Sequence, residues 1–155
     1  MNLLIIAVGK IKEDYWLAAQ NEYFKRLSPY VKLQVTEVNA EKLDGSVSDD
    51  EAMRREGERI LKQVSEGATL IALDKSGRQF PSEKFSEMLE DVAGHGAPVA
   101  LVIGGAAGLH ASVLERAQKK LSLSEMTLPH ELARVFLLEQ IYRAVMIARG
   151  KPYHR

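Results

Sequence analysis

The chain contains no cysteine. Disulfides, thiolate nucleophiles and cysteine-based zinc sites are therefore excluded, and a cytoplasmic protein is expected. No apolar run approaches the roughly 18 residues that a membrane span requires. The opening MNLLIIAVGK lacks a basic start, and its short apolar run leads directly into Gly9-Lys10. That pattern indicates a buried first strand rather than a signal sequence. No G-x-x-x-x-G-K-[ST] occurs, which excludes a P-loop. Gly9 is the only glycine after the first strand, so the G-x-G-x-x-G dinucleotide fingerprint is missing as well. The four histidines, His95, His110, His130 and His154, show no ligand spacing, and no metal is expected. Net charge is absent too: 21 Lys and Arg stand against 21 Asp and Glu. A grip on nucleic acid by bulk charge is thereby disfavoured.

What remains is enough for one domain over residues 1–155, with 46% apolar residues to fill its core. Charge is unevenly spread. Arg116 to Arg155 carries a net +5 and the preceding part −5, which suggests an anionic partner for the C-terminal part. Apolar runs at 2–8 and 69–74 and the run PVALVIGG predict buried strands, VKLQV alternates as a further strand, and LSLS predicts a short fifth. Helical spacing covers 14–27, a helix capped by Ser48 and Glu51 and ending at Gly67, one opened by Ser82 and broken at His95-Gly96, 110–120, and 131–149. KSG at 75–77 is expected to turn. Strands alternating with helices predict an α/β fold: a mainly parallel sheet with helices on both faces.

Three stretches carry chemistry. In LVIGGAAGLH, 101–110, Gly104 and Gly105 follow the fourth strand, where ligands of α/β sheets bind. The spacing suits close approach of a ligand to backbone, and equally a ligand-free tight turn. SLSEMTLPHE, 122–131, combines hydroxyls, free backbone groups and the apolar Met126 and Leu128, the mixture a purine pocket needs. The last helix, ELARVFLLEQIYRAVMIAR, is apolar on nearly every side, which suggests a second subunit, with Ile141 and Val145 on the buried face. Arg134 and Arg143 lie nine residues apart and point in opposite directions. Arg143 can pair with Glu139 at i, i+4, or one of the two arginines can face a phosphate.

LVIGGAAGLH, LSLSEMTLPHELARVFLLEQIYRA and the terminal PYHR, in this order, resemble the ribosomal large-subunit pseudouridine N3-methyltransferases of the SPOUT superfamily. The resemblance covers the whole chain, including the opening VGK, and is most specific in the C-terminal half. It implies methyl transfer from S-adenosylmethionine to N3 of a pseudouridine in 23S rRNA on the assembled ribosome, a homodimer and a C-terminal trefoil knot. Carried over, the cofactor residues are Leu73, Gly104, Leu123, Ser124, Glu125, Met126, Thr127 and Leu128. Ala106 and Ala107 stand where relatives can carry polar or acidic residues.

The N3 proton must leave, and histidine is the usual acceptor near neutral pH. His130 and His154 are the candidates, with Arg143 as a further catalytic candidate. His95 and His110 are set aside. For RNA the candidates are Arg134, Lys151, Tyr153 as a stacking surface, and Arg155. Rival readings are a ribosome- or RNA-associated binding protein without turnover, a tRNA-directed SPOUT enzyme, and a nicotinamide-dependent reductase.

Overall fold

The computed structural model describes residues 1–153. The calls on His154 and Arg155 lie outside the described residues. Five strands and five helices alternate: β1 (Asn2–Val8), α1 (Asp14–Leu27), β2 (Lys32–Val38), α2 (Asp49–Leu61), β3 (Thr69–Arg78), α3 (Ser82–Gly94), β4 (Val99–Ile103), α4 (Ala111–Arg116), β5 (Lys119–Leu121) and α5 (His130–Ala148). Every pairing is parallel, and the sheet order is β2-β1-β4-β3-β5. This is the expected α/β sheet. Its two faces bury separate clusters because strand residues alternate sides. Leu3, Ile5, Leu101 and Ile71 meet Leu27, Leu89, Leu137 and Ile141 beneath α1, α3 and α5. Ile6, Val8, Val102 and Leu70 meet Ile60 and Val113 beneath α2 and α4.

Several boundaries differ from the sequence expectation. KSG does not end the third strand. Leu121 pairs with both Leu73 and Arg78, so residues 74–77 form a bulge within a longer β3. The Asp74 carboxylate braces that bulge by accepting from the Ser76 amide at 2.9 Å. α2 stops at Leu61 rather than Gly67, because its end tightens into i→i+3 bonds, Gln63 N to Ile60 O and Val64 N to Leu61 O. Only half of the capping box forms. Ser48 Oγ accepts from Glu51 N, while the Glu51 carboxylate pairs with Arg54 and Arg55. Ser82 does not cap α3; its hydroxyl donates to Gln140 on α5. The fourth helix spans only 111–116, and the fifth strand is KKL rather than LSLS. Ser122 leaves the sheet and bonds the Ser124 carbonyl.

Candidate functional site

The C-terminal edge of the sheet brings the sequence candidates together. Leu73 lies in register with Ile103 on one side and Leu121 on the other. Gly104 and the loop that begins at Ser122 therefore leave the sheet on either side of Leu73. Neighbouring strands are spaced about 4.8 Å apart, so these groups line one rim. Among the described residues, no backbone–backbone hydrogen bond ties down residues 123–128. The loop is braced by side chains instead: Met126 N donates to Ser124 Oγ, and Ser122 Oγ to Ser124 O. Among the described residues its other amides and carbonyls have no backbone partner. Glu125, Thr127 and Met126 are exposed, Met126 by 77%, and Leu123 and Leu128 are half-buried.

The glycines have distinct causes. A Cβ on Gly104 would meet the Gly108 carbonyl group at 2.9 Å and Leu109 at 3.0 Å. Gly104 is thus required by the turn itself, which a valine there would disrupt. A Cβ on Gly105 would come within 2.8 Å of the Glu56 carboxylate. Glu56 is buried, accepts from Glu41 N at 2.8 Å, and has its carboxyl pushed up by that burial. It thereby joins the turn after β4 to the loop after β2. The sequence reading missed it. Ala52, Glu56 and Ile60 share the buried stripe of α2 at i, i+4, i+8, and a carboxylate in such a stripe was the available signal.

His130 begins α5 and lies over the end of β1. Its Nε2 is 3.5 Å from where a Cβ on Gly9 would stand and 3.2 Å from Glu131 Oε1. β1 adjoins β4, so the imidazole sits one strand from the glycine turn. His95 Nδ1 bonds the Asp91 carbonyl, and His110 caps α4 by accepting from Ser112 N.

Arg134 is not a surface residue of the chain, and this corrects its expected contact with RNA. It is fully buried, with Nη1 donating to Glu37 at 2.6 Å and Gln20 at 3.3 Å, and Nη2 to Gly9 O at 3.0 Å. Glu37 also receives the Ile11 amide. The pair clamps the β1–α1 loop beside His130. Removing one member of such a pair strands the other charge. Glu37→Ala is expected to destabilise the fold on the order of 3 kcal/mol. Arg134→Met, which leaves only the partly solvated Glu37, should cost less than half as much. Urea unfolding of both variants measures the order; equal costs would contradict the clamp.

Arg143 pairs with Glu139 at 2.5 Å, the alternative that the spacing had offered. Its guanidinium also lies 4.9 Å over the Tyr153 ring. Tyr153 packs edge-on against Tyr142 and donates to Glu139 at 3.2 Å. Burial, then Glu139, pushes its phenol up to about 12, so near neutral pH it is a donor and not a base. Lys151 is exposed at the far end of α5 from His130. Ile141 and Val145 are buried in the chain's own core, not on an open face, which corrects their assignment to a subunit interface. Among the described residues no group of three or more metal-ligating side chains occurs, and no helix is long and apolar enough to cross a membrane.

Known proteins resemble this chain in sequence and fold. The chain is 48% identical over 159 residues to the ribosomal RNA large subunit methyltransferase H of Clostridium novyi (strain NT), with all of both chains covered. Among solved structures, a probable methylase family protein from Haemophilus influenzae Rd KW20 aligns with a TM-score of 0.57 at 14% identity, over 99% of this chain and 70% of that one. A methyltransferase from Legionella pneumophila in complex with the bound cofactor SAM aligns with a TM-score of 0.50 at 13% identity, over 96% and 66%. The family described as "Predicted SPOUT methyltransferase" matches residues 1–154. The chain belongs to the SPOUT methyltransferase family.

Proposed function

We propose that this protein methylates N3 of a pseudouridine in 23S rRNA, using S-adenosylmethionine, on assembled ribosomes in the cytoplasm. The full-length identity to a large-subunit rRNA methyltransferase carries this reading. The loop 123–128, which among the described residues makes no backbone–backbone hydrogen bond, supports it chemically. Leu73, Gly104 and Leu123, Ser124, Glu125, Met126, Thr127 and Leu128 would hold the cofactor. The whole chain would act as one domain. A C-terminal trefoil knot would fit the family to which the chain belongs.

S-adenosylmethionine supplies a methyl group already activated on a sulfonium. The chain's own task is to align the acceptor and take up its proton. His130, one strand from the glycine turn, and His154 on the tail are the candidate bases. Arg143 would act by holding Tyr153 and hence the tail, rather than at the reacting atoms. Lys151 and Arg155 remain the tail's candidate RNA contacts.

A homodimer makes the tail useful. Tyr153 docks at Glu139, nine residues from His130 and so about 14 Å along the helix. Tyr153, docked there, lies away from its own chain's His130, and a homodimer would let a partner's tail approach that histidine from outside. Phe136, 39% exposed on α5, supports a subunit contact there.

Equilibrium titration with S-adenosylmethionine and with NAD tests the cofactor. Binding of the first alone is expected, and binding of NAD alone would return the reductase reading. Transfer of labelled methyl to ribosomes separates an enzyme from a silent binder.

A further inference from the structure

Gly105 is a glycine because of what touches it, not because of its backbone. Unlike Gly108, with φ 97°, it does not have a positive φ, so the conformation suits other residues too. Its neighbours exclude a side chain instead. The Cβ position lies 3.0 Å from Val8 Cγ1, 2.8 Å from Glu56 Oε2 and 3.2 Å from Glu56 Oε1. The Glu56 carboxylate is thus seated against the glycine turn, which closes through Gly108 N donating to Gly105 O at 3.0 Å.

Packing alone does not call for a carboxylate there. Glu56 is 5% exposed, and burial pushes its carboxyl up, so the charged form is held at a cost. Among the described residues it has no ion-pair partner; Arg55 and Arg59, on the same helix, both pair with Glu41. Its Oε1 accepts from the Glu41 amide at 2.8 Å. That amide is held in turn, since Arg59 bonds the Glu41 carboxylate and the Asn39 carbonyl. The root of the side chain is fixed as well. A Cβ on Gly57 would meet His110 Cβ and Val113 Cγ2 at 3.3 Å each, so α2 presses closely on the segment that follows the glycine turn. Gly105 is therefore trapped between the Glu56 carboxylate and the end of β1.

We propose that Glu56 is a positioning residue of the cofactor site. Its hydrogen bond from the Glu41 amide holds the carboxylate against Gly105, and this sets where the adjoining Gly104 presents its backbone to S-adenosylmethionine. The proposal rests on the assignment of Gly104 to the cofactor. A buried acid that costs stability and completes no ion pair is the pattern of a residue kept for a site rather than for the fold.

The test combines calorimetric titration with S-adenosylmethionine and urea unfolding, both on the full chain. The variants are Glu56→Leu, Glu56→Gln and Gly105→Ala. A leucine side chain ends one bond short of Gly105 and offers Glu41 no acceptor, whereas glutamine keeps the reach and the acceptor oxygen. Glu56→Leu should weaken cofactor binding about tenfold, the worth of one hydrogen bond. Its urea midpoint should stay equal or rise, because a buried unpaired charge has gone. Glu56→Gln should keep the affinity to within about twofold of the unmutated chain. Gly105→Ala, which displaces the carboxylate from the other side, should weaken binding as Glu56→Leu does. Normal affinity in Glu56→Leu or Gly105→Ala, a glutamine variant as weak as the leucine one, or an affinity loss that comes only with a lowered midpoint would each overturn the positioning role and leave the cofactor site standing. An unmutated chain that binds no S-adenosylmethionine would overturn the cofactor reading and the proposal with it.

Discussion

Gly77→Ala is expected to destabilise the protein by about 3 kcal/mol or more and to abolish S-adenosylmethionine binding in whatever fraction still folds. The added Cβ would stand 2.6 Å from both the Leu121 nitrogen and the Leu121 carbonyl carbon. These are backbone atoms of β5, which pairs with this end of β3, so no flexible side chain can yield. Relief requires moving β5, which positions the loop from Ser122 onward. Gly94→Ala is the matched control. It lies at the end of α3 with nothing within 4 Å of the new methyl group. It should be neutral or stabilising by about 0.5–1 kcal/mol. Urea midpoints for the two variants decide the matter, and a Gly77→Ala midpoint equal to that of the unmutated protein would contradict the close approach.

Deleting residues 152–155 should lower methyl transfer by orders of magnitude while folding and donor affinity stay nearly unchanged. If His154 is the base, His154→Ala alone accounts for about 10²–10⁴-fold of that loss. Arg155→Ala should instead weaken ribosome binding and its salt dependence. A mixing experiment shows whose site the tail completes. The truncated chain is combined with a full-length chain whose glycine turn is broken by Gly104→Val. Each is expected to be inactive alone. Recovered activity in the mixture means that the tail of one chain serves the donor site of the other. A truncated chain that methylates at the normal rate leaves His130 as the base.

The layout of the fold was legible because β1, the first part of β3 and β4 are apolar runs between helical patterns, and such runs mark strands covered on both faces. The strand order was not legible, since pairing β3 with β5 across a bulge depends on Gly77 meeting a backbone more than forty residues away. KSG looked like a turn because its residues favour turns; the register on either side of it made it a bulge. The glycine turn and the loop 123–128 were visible as motifs, and the structure adds that they flank Leu73. Arg134 was misjudged because charge alone suggests solvent. Its partners Gln20, Glu37 and the Gly9 carbonyl come from α1, β2 and β1, and no local pattern reveals that they converge. The apolar breadth of α5 was taken for a subunit face at Ile141 and Val145. Its own packing on α1, α3 and the sheet consumes both residues.

The central claim is tested most directly by incubating the purified protein with methyl-labelled S-adenosylmethionine and, in parallel, free 23S rRNA, separated large subunits and joined ribosomes. The RNA is then digested to nucleosides and the labelled one identified by chromatography and mass. Label in a single N3-methylated pseudouridine of 23S rRNA, strongest from joined ribosomes, is the predicted result. Ribosomes lacking that methyl group that stay unlabelled in the presence of folded, donor-bound protein, or label found only in tRNA, would contradict the claim.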